Sequence, residues 1–143
     1  MTFQTALPNV AVRIETALVD QLAADPNVRE LFGTPARLYA HWPTRAPYPF
    51  AVIDRHQQTP LPASGTSSFE HRIDLAVFSR HGGRSEARDC LGALQAAFEA
   101  ERFSVEGVNT ILAHIVYADA MRTQSFAMFR GVLRVRMITE AST

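Results

Sequence analysis

Between His71 and Cys90 the chain reads HRIDLAVFSRHGGRSEARDC, and its hydrophobic period changes from two to about 3.6 across Gly82 and Gly83. A strand, a tight turn and a helix follow from that change. On the strand side Ile73, Leu75 and Val77 share one face, and Glu70, Arg72 and Asp74 share the other. After the glycines Ser85 is placed to cap a helix, with Glu86 and Asp89 in the first turn, where the helix dipole favours negative charge. Ala87, Leu91, Leu94 and Phe98 then form the stripe that such a helix buries, ending near Arg102.

The flanking segments extend the pattern. Val10, Ile14, Ala17, Leu18 and Leu22 fall on one face of an amphipathic helix over residues 8–24, and Pro26 stops it, leaving a short helical turn near Val28 to Phe32. ARLYAHW and PFAVIDRH read as two strands separated by a corner containing Pro43, Pro47 and Pro49. NTILAHIVYAD and SFAMFRGVLRVRMIT read as two more. In the last, Ala127, Phe129, Gly131, Leu133, Val135 and Met137 make one face, while Arg130, Arg134 and Arg136 occupy the other with Val132. A strand from Ser125 to Thr139 would span about 50 Å. That length predicts that the strand projects beyond its own sheet or bends, and Gly131 is the residue that permits a bulge.

This order predicts an α+β fold, an antiparallel sheet with two main helices packed on one face, in a single domain over residues 1–143. If the third and last strands are neighbours, Glu70, Arg72 and Asp74 lie near Arg130, Arg134 and Arg136 on the opposite face. Such a face is either a solvated lattice of cross-strand ion pairs or a subunit interface. The segment from Gln57 to Ser68, with Thr59, Pro60, Leu61, Pro62, Ser64 and Thr66, reads as an exposed loop or hairpin tip available to a partner.

The remaining chemistry is sparse. Fourteen basic residues, every one an arginine, balance fourteen acidic ones, so no net field draws the chain to nucleic acid or a membrane surface. His41, His56, His71, His81 and His114 show none of the close spacings of a zinc site, and Cys90 falls on an apolar helical face. The SRHGGRSEAR turn could hold an anion but lacks the spacing and lysine of a phosphate loop. No catalytic set, metal site or cofactor is expected. The N-terminus shows no export signal, and no apolar run is long enough to cross a membrane. A small-molecule enzyme and an accessory nucleic-acid binder using the arginine face stay open as other classes.

The ordered pieces PYPFAVI, HRIDLAVFSR, EARDCLGAL and FRGVLRVR carry a resemblance. Over nearly its whole length the chain resembles the tail-completion or tail terminator family of long-tailed double-stranded DNA phages and phage-derived gene transfer particles. The resemblance implies a small structural subunit, not an enzyme, that forms a ring, commonly a hexamer, on the last ring of the tail tube. Its partners would be further copies of itself, the tail tube protein and the head-side connector, with DNA passing through the channel without being read. It would assemble in the cytoplasm and reside at the head-tail junction of the finished particle. Another connector component of the neck is the nearest alternative. For such a ring, charge balance has a use, because a strongly basic channel would retain DNA phosphates.

Overall fold

The computed structural model describes residues 10–62, 67–80, 83–123 and 128–140. The chain runs through α1 (Val10–Ala23), α2 (Pro26–Phe32), β1 (Leu38–Tyr39), β2 (Phe50–Leu61), β3 (Ser68–Ser79), α3 (Gly83–Ala100), β4 (Asn109–Arg122) and β5 (Phe129–Glu140). The strands form one sheet in the order β1-β2-β3-β5-β4. Every pairing is antiparallel except β1 with β2. The fold is therefore α+β, as expected, with a mostly antiparallel sheet.

The alternation in β3 and β5 decides which face is inside. Ile73, Leu75, Val77, Leu133, Val135 and Met137 are buried in the main core with Ile14, Leu18 and Leu22 of α1, Val28 and Phe32 of α2, and Leu91, Leu94 and Phe98 of α3. The helical stripe read from the sequence is thus the buried one. α2 begins earlier than the sequence suggests. The Asp25 carboxylate accepts from the N–H groups of Asn27 and Val28 at 2.8 and 3.1 Å, and Pro26 occupies the first turn, where its missing N–H has no cost. α3 also begins early, at Gly83, so Ser85 lies inside the helix and does not cap it. Glu86 has a different use there, accepting a short hydrogen bond from the Ser79 hydroxyl at the end of β3.

Three strand expectations need correction. ARLYAHW contributes only Leu38–Tyr39, paired parallel to Ala51 and Val52, because the chain then turns so that Trp42 packs on Phe78 at 5.4 Å between ring centroids. The polar segment from Gln57 is not a long loop. β2 continues through Leu61 and stays paired with β3 from Gln57↔Arg72 to Leu61↔Ser68. Thr59, Pro60 and Leu61 are therefore strand residues and Pro62 follows them, whereas Ser64 and Thr66 lie outside the described residues. An edge position accommodates Pro60, which has no N–H to donate. Finally, β5 neither bends nor bulges at Gly131, which pairs in regular register with Val77 and Ala120. The residues Ser125 to Ala127, expected at its start, are outside the described residues.

Gly131 has another reason to lack a side chain. A Cβ there would lie 3.0 to 3.2 Å from Cδ1, Cγ and Cδ2 of Leu91. The glycine lets α3 approach the sheet closely. On the opposite face, where the charged residues were expected, one end carries a second apolar cluster of Phe50, Val52, Ala76 and Phe78, with Tyr39 and Tyr48 packed against it. Phe50 and Phe78 stack with centroids 5.2 Å apart.

One buried polar chain ties α1 to the sheet. The Nδ1 of His56 on β2 lies 2.8 Å from Oε2 of Glu15 on α1, its Nε2 lies 2.8 Å from Nδ1 of His71 on β3, and the Nε2 of His71 lies 3.2 Å from the Thr139 hydroxyl on β5. With Glu15 ionised and both rings neutral, donation runs one way: Thr139 to His71, His71 to His56, His56 to Glu15. A proton on His56 is tolerated if His71 changes tautomer and donates to Thr139 instead. A proton on both rings sets two N–H groups against each other. His71 is fully buried, and desolvation, followed by the charge of His56, lowers its pKa from 6.5 to about 4.

Two predictions follow from these contacts. Gly131→Ala is expected to cost about 1 to 3 kcal/mol through overpacking. Leu91→Ala should then cost less in that background than in the native chain, a coupling that a double-mutant cycle in urea reads directly. The second concerns pH. The unfolded chain binds a proton at an ordinary histidine pKa and the folded chain resists it, so the His71 contribution leaves stability intact above about pH 6.5. It erodes stability as pH falls toward about 4, by up to about 1.4 kcal/mol per pH unit. Urea melts between pH 7.5 and 4.5 should show this slope and should lose most of it in His71→Gln; an unchanged slope in the variant would assign the acid sensitivity to other groups.

Candidate assembly surface

The full antiparallel register of β3 with β5 places Asp74 opposite Arg134 and Arg72 opposite Arg136 on the sheet face away from the helices. The side chains then pair within the chain. Arg134 forms a fork on Asp74, with Nε 2.7 Å from Oδ1 and Nη2 3.2 Å from Oδ2. Arg136 donates to Glu70 one pair further along, and Arg72 reaches Glu70 only at 3.7 Å. The guanidinium of Arg134 also lies 5.1 Å from the ring centre of Tyr117 on β4, which continues the row to the sheet edge.

Of the six residues expected on this face, the structure gathers five into one lattice: Glu70, Arg72, Asp74, Arg134 and Arg136. Arg130 is separate. Val132 intervenes, and Arg130 engages Asp54 beside the β2 bulge, with Phe78 beneath its guanidinium. Arg72 is the loosest member, its side chain 49% exposed. The electrostatics agree with the geometry. The bond from Arg136 holds the Glu70 carboxyl below its usual range, and the Asp74 carboxylate raises the already high pKa of Arg134.

On this face the contacts among the described residues are ion pairs and a cation–π pair. Cys90 is fully buried on α3, and desolvation pushes its thiol up to about 12. Among the described residues no three His, Cys, Asp or Glu side chains converge as metal ligands, and no helix is long and apolar enough to cross a membrane. The glycine turn weighed as an anion site has His81 and Gly82 outside the described residues. Thr59, Pro60 and Leu61 lie at the far end of β2, where Thr59 and Pro60 are exposed and Leu61 is partly so.

Two features were missed at the level of sequence. His56 and His71 meet although fifteen positions separate them, because they sit near each other across the β2–β3 pair; only the strand register could have shown it. The second is β4. Four of the six exposed large hydrophobic residues among those described, Ile111, Val116, Tyr117 and Met121, lie on this one strand at the sheet edge. Read as an ordinary strand, NTILAHIVYAD gave no face to them.

No curated protein matches the sequence. Among solved structures, a chain in the virion of a native gene transfer agent particle aligns with a TM-score of 0.80 at 20% identity, covering 94% of this chain and 99% of that one. The bacteriophage SPP1 gp17 protein aligns with a TM-score of 0.61 at 21% identity, covering 96% and 95%. These likenesses establish a shared fold. The family model for tail completion protein gp17 matches residues 16–140, so the described sheet and its ion-paired face lie almost wholly inside the match, and the chain belongs to the tail completion protein gp17 family.

Proposed function

We propose that this chain completes the tail as a ring of identical subunits, six in number, seated on the last ring of the tail tube. The ring stops tube growth and presents a surface to the head-side connector, while DNA passes through its channel without sequence recognition. In this reading the protein acts in the cytoplasm during assembly and then resides at the head-tail junction. It is a structural protein and not an enzyme. The observation that carries the proposal is membership of the tail completion family over residues 16–140. The fold shared with a chain of a gene transfer agent virion supports it.

The surfaces fit a neck component. A face on which two carboxylates offset two of three guanidiniums can meet a neighbour, or face passing DNA, without a strong net field. Glu70, Arg72, Asp74, Arg130, Arg134 and Arg136 remain the proposed polar contact face, and the β2 end with Thr59, Pro60, Leu61 and Pro62, continuing to Ser64 and Thr66, the proposed contact to tube or connector. Reversing Arg134 and Arg136 would be a poor test. Each would set a new carboxylate beside Asp74 or Glu70 and weaken the subunit itself.

The test therefore starts with removal of the gene in a producing phage or gene transfer system. Electron microscopy should show tails of irregular length and heads without tails, both restored by the native chain in trans. Arg72→Ala, which loses only a long, exposed ion pair, should leave the subunit's melting temperature unchanged and lower the fraction of joined particles. Normal tails joined to heads in the deletion would overturn the proposed role; normal joining in Arg72→Ala alone would remove the polar face from the contacts.

A further inference from the structure

Among the described residues, strand β4 is a sheet edge with no partner strand on its outer side. It lies at the end of the strand order, so β5 satisfies its backbone on one side only. Proteins usually blunt such an edge with proline, lysine, inward charge, a bulge or a covering segment, or keep it short. β4 runs for fourteen residues with no proline, and its charged side chains are confined to Asp119 and Arg122 near one end. The Asp119 carboxylate takes the N–H of Ala120, and Arg102 Nη2 donates to the Thr110 carbonyl at 3.3 Å, so side chains engage two backbone groups of the strand.

Its bulges display apolar groups. The register with β5 skips from Thr110 to Leu112 and from Ile115 to Tyr117, so Ile111 and Val116 are the extra residues. A bulge re-aims the side chain it carries. Both are exposed, at 48% and 43%. Beside this edge a groove of about 450 Å³ lies between the end of α3 and β4, lined by Phe98, Phe103 and Ile111 among others.

The complementary edge is on the same chain. β1 covers only Ala51 and Val52, leaving Asp54 to Leu61 of β2 open on the outer side over about 26 Å. The strand directions also match. From β2 through β3 and β5 to β4 the sheet alternates strictly, so β2 and β4 point in opposite directions. A second copy placed beside β4 in the same orientation therefore offers its β2 antiparallel to β4. Asp54 to Gln58 offer backbone groups to that edge, whereas Pro60 has no N–H to donate and, with Thr59 and Leu61, stays with the contact to tube or connector.

We infer that β4 of one copy pairs with the outer half of β2 of the next copy, so that the subunit interface is a head-to-tail strand addition. Such a contact is heterologous and closes a ring when the rotation per copy divides the circle. The inference rests on the ring reading above and names the surface that builds it.

The test uses two engineered thiols in the full chain, Val116→Cys and Gln58→Cys. The native Cys90 stays, because it is buried and its thiol is held protonated. The chain is treated with a bis-maleimide, both concentrated and seated on isolated tail tubes, and resolved on denaturing gels. The doubly substituted chain should give a ladder of covalent multimers, and each single variant should give none. In parallel, Ile111→Lys with Val116→Lys should melt like the native chain and lose assembly. A cross-linked dimer from Val116→Cys alone would show two β4 edges meeting about a two-fold axis and would overturn the head-to-tail pairing. Native assembly without the ladder, or retained assembly in the lysine variant, would place the interface elsewhere. If the native chain stays monomeric in both settings, the ring reading itself fails and this inference falls with it.

Discussion

The pairing of β3 with β5 is the constraint on which the rest of the structure depends. Twelve residues on each strand oppose one another from Ser68↔Glu140 to Ser79↔Phe129 without a bulge. A slip of one residue would turn Ile73, Leu75 and Val77, or Leu133, Val135 and Met137, from the helices to solvent. These six side chains are almost wholly buried, and at roughly 1.5 to 3 kcal/mol each their transfer amounts to on the order of 10 kcal/mol. The ion pairs on the other face, open to water, contribute little by comparison. Apolar burial therefore sets the register. The fork of Arg134 on Asp74 follows from it and adds specificity.

The same pairing explains where the helices sit. Gly131 and Val77 are opposite one another at one end of the central strands, and the missing side chain at Gly131 is the space that Leu91 fills. α3 is thereby held against β5, while α1 is anchored through Glu15 to His56 and onward to His71 and Thr139. Three strands thus share one polar chain inside an apolar layer. Its capacity for protons is limited to what the hydrogen-bond directions allow.

What could be read from the sequence divides along physical lines. β3, β5 and α3 were legible because their partners lie on one face at a regular period, and Leu75, Leu94, Leu133 and their neighbours are buried as that period requires. Gln57 to Leu61 were not, because this part of β2 is held by backbone pairing to β3 and its side chains carry no alternation. Gly131 was read as a bend, since a glycine in a strand permits several outcomes and only the position of Leu91 selects one. The carboxylates and arginines of the outer face were named from the sequence, but not that they would satisfy each other inside one subunit. β4 hid its edge because two bulges break the alternation that would have sorted Ile111 and Val116 to a face.

A division of labour between face and edge follows for assembly. Charges satisfied within the subunit cannot supply much attraction across a boundary, since any new pairing would replace an existing one at little net gain. Backbone groups and apolar side chains left open at β4 have no such competitor, apart from water. In the proposed ring the edge would supply the affinity and the ion-paired face would limit unwanted contact with partners of either charge. The edge is also narrow, one strand with four large exposed side chains, so a pair of copies would bury little area. Closure into a ring changes this arithmetic, because each subunit is then held at two edges and the tube end keeps the copies at high effective concentration. In the proposed ring, a narrow edge interface would keep free subunits from polymerising in solution and let them lock together only where the tail ends.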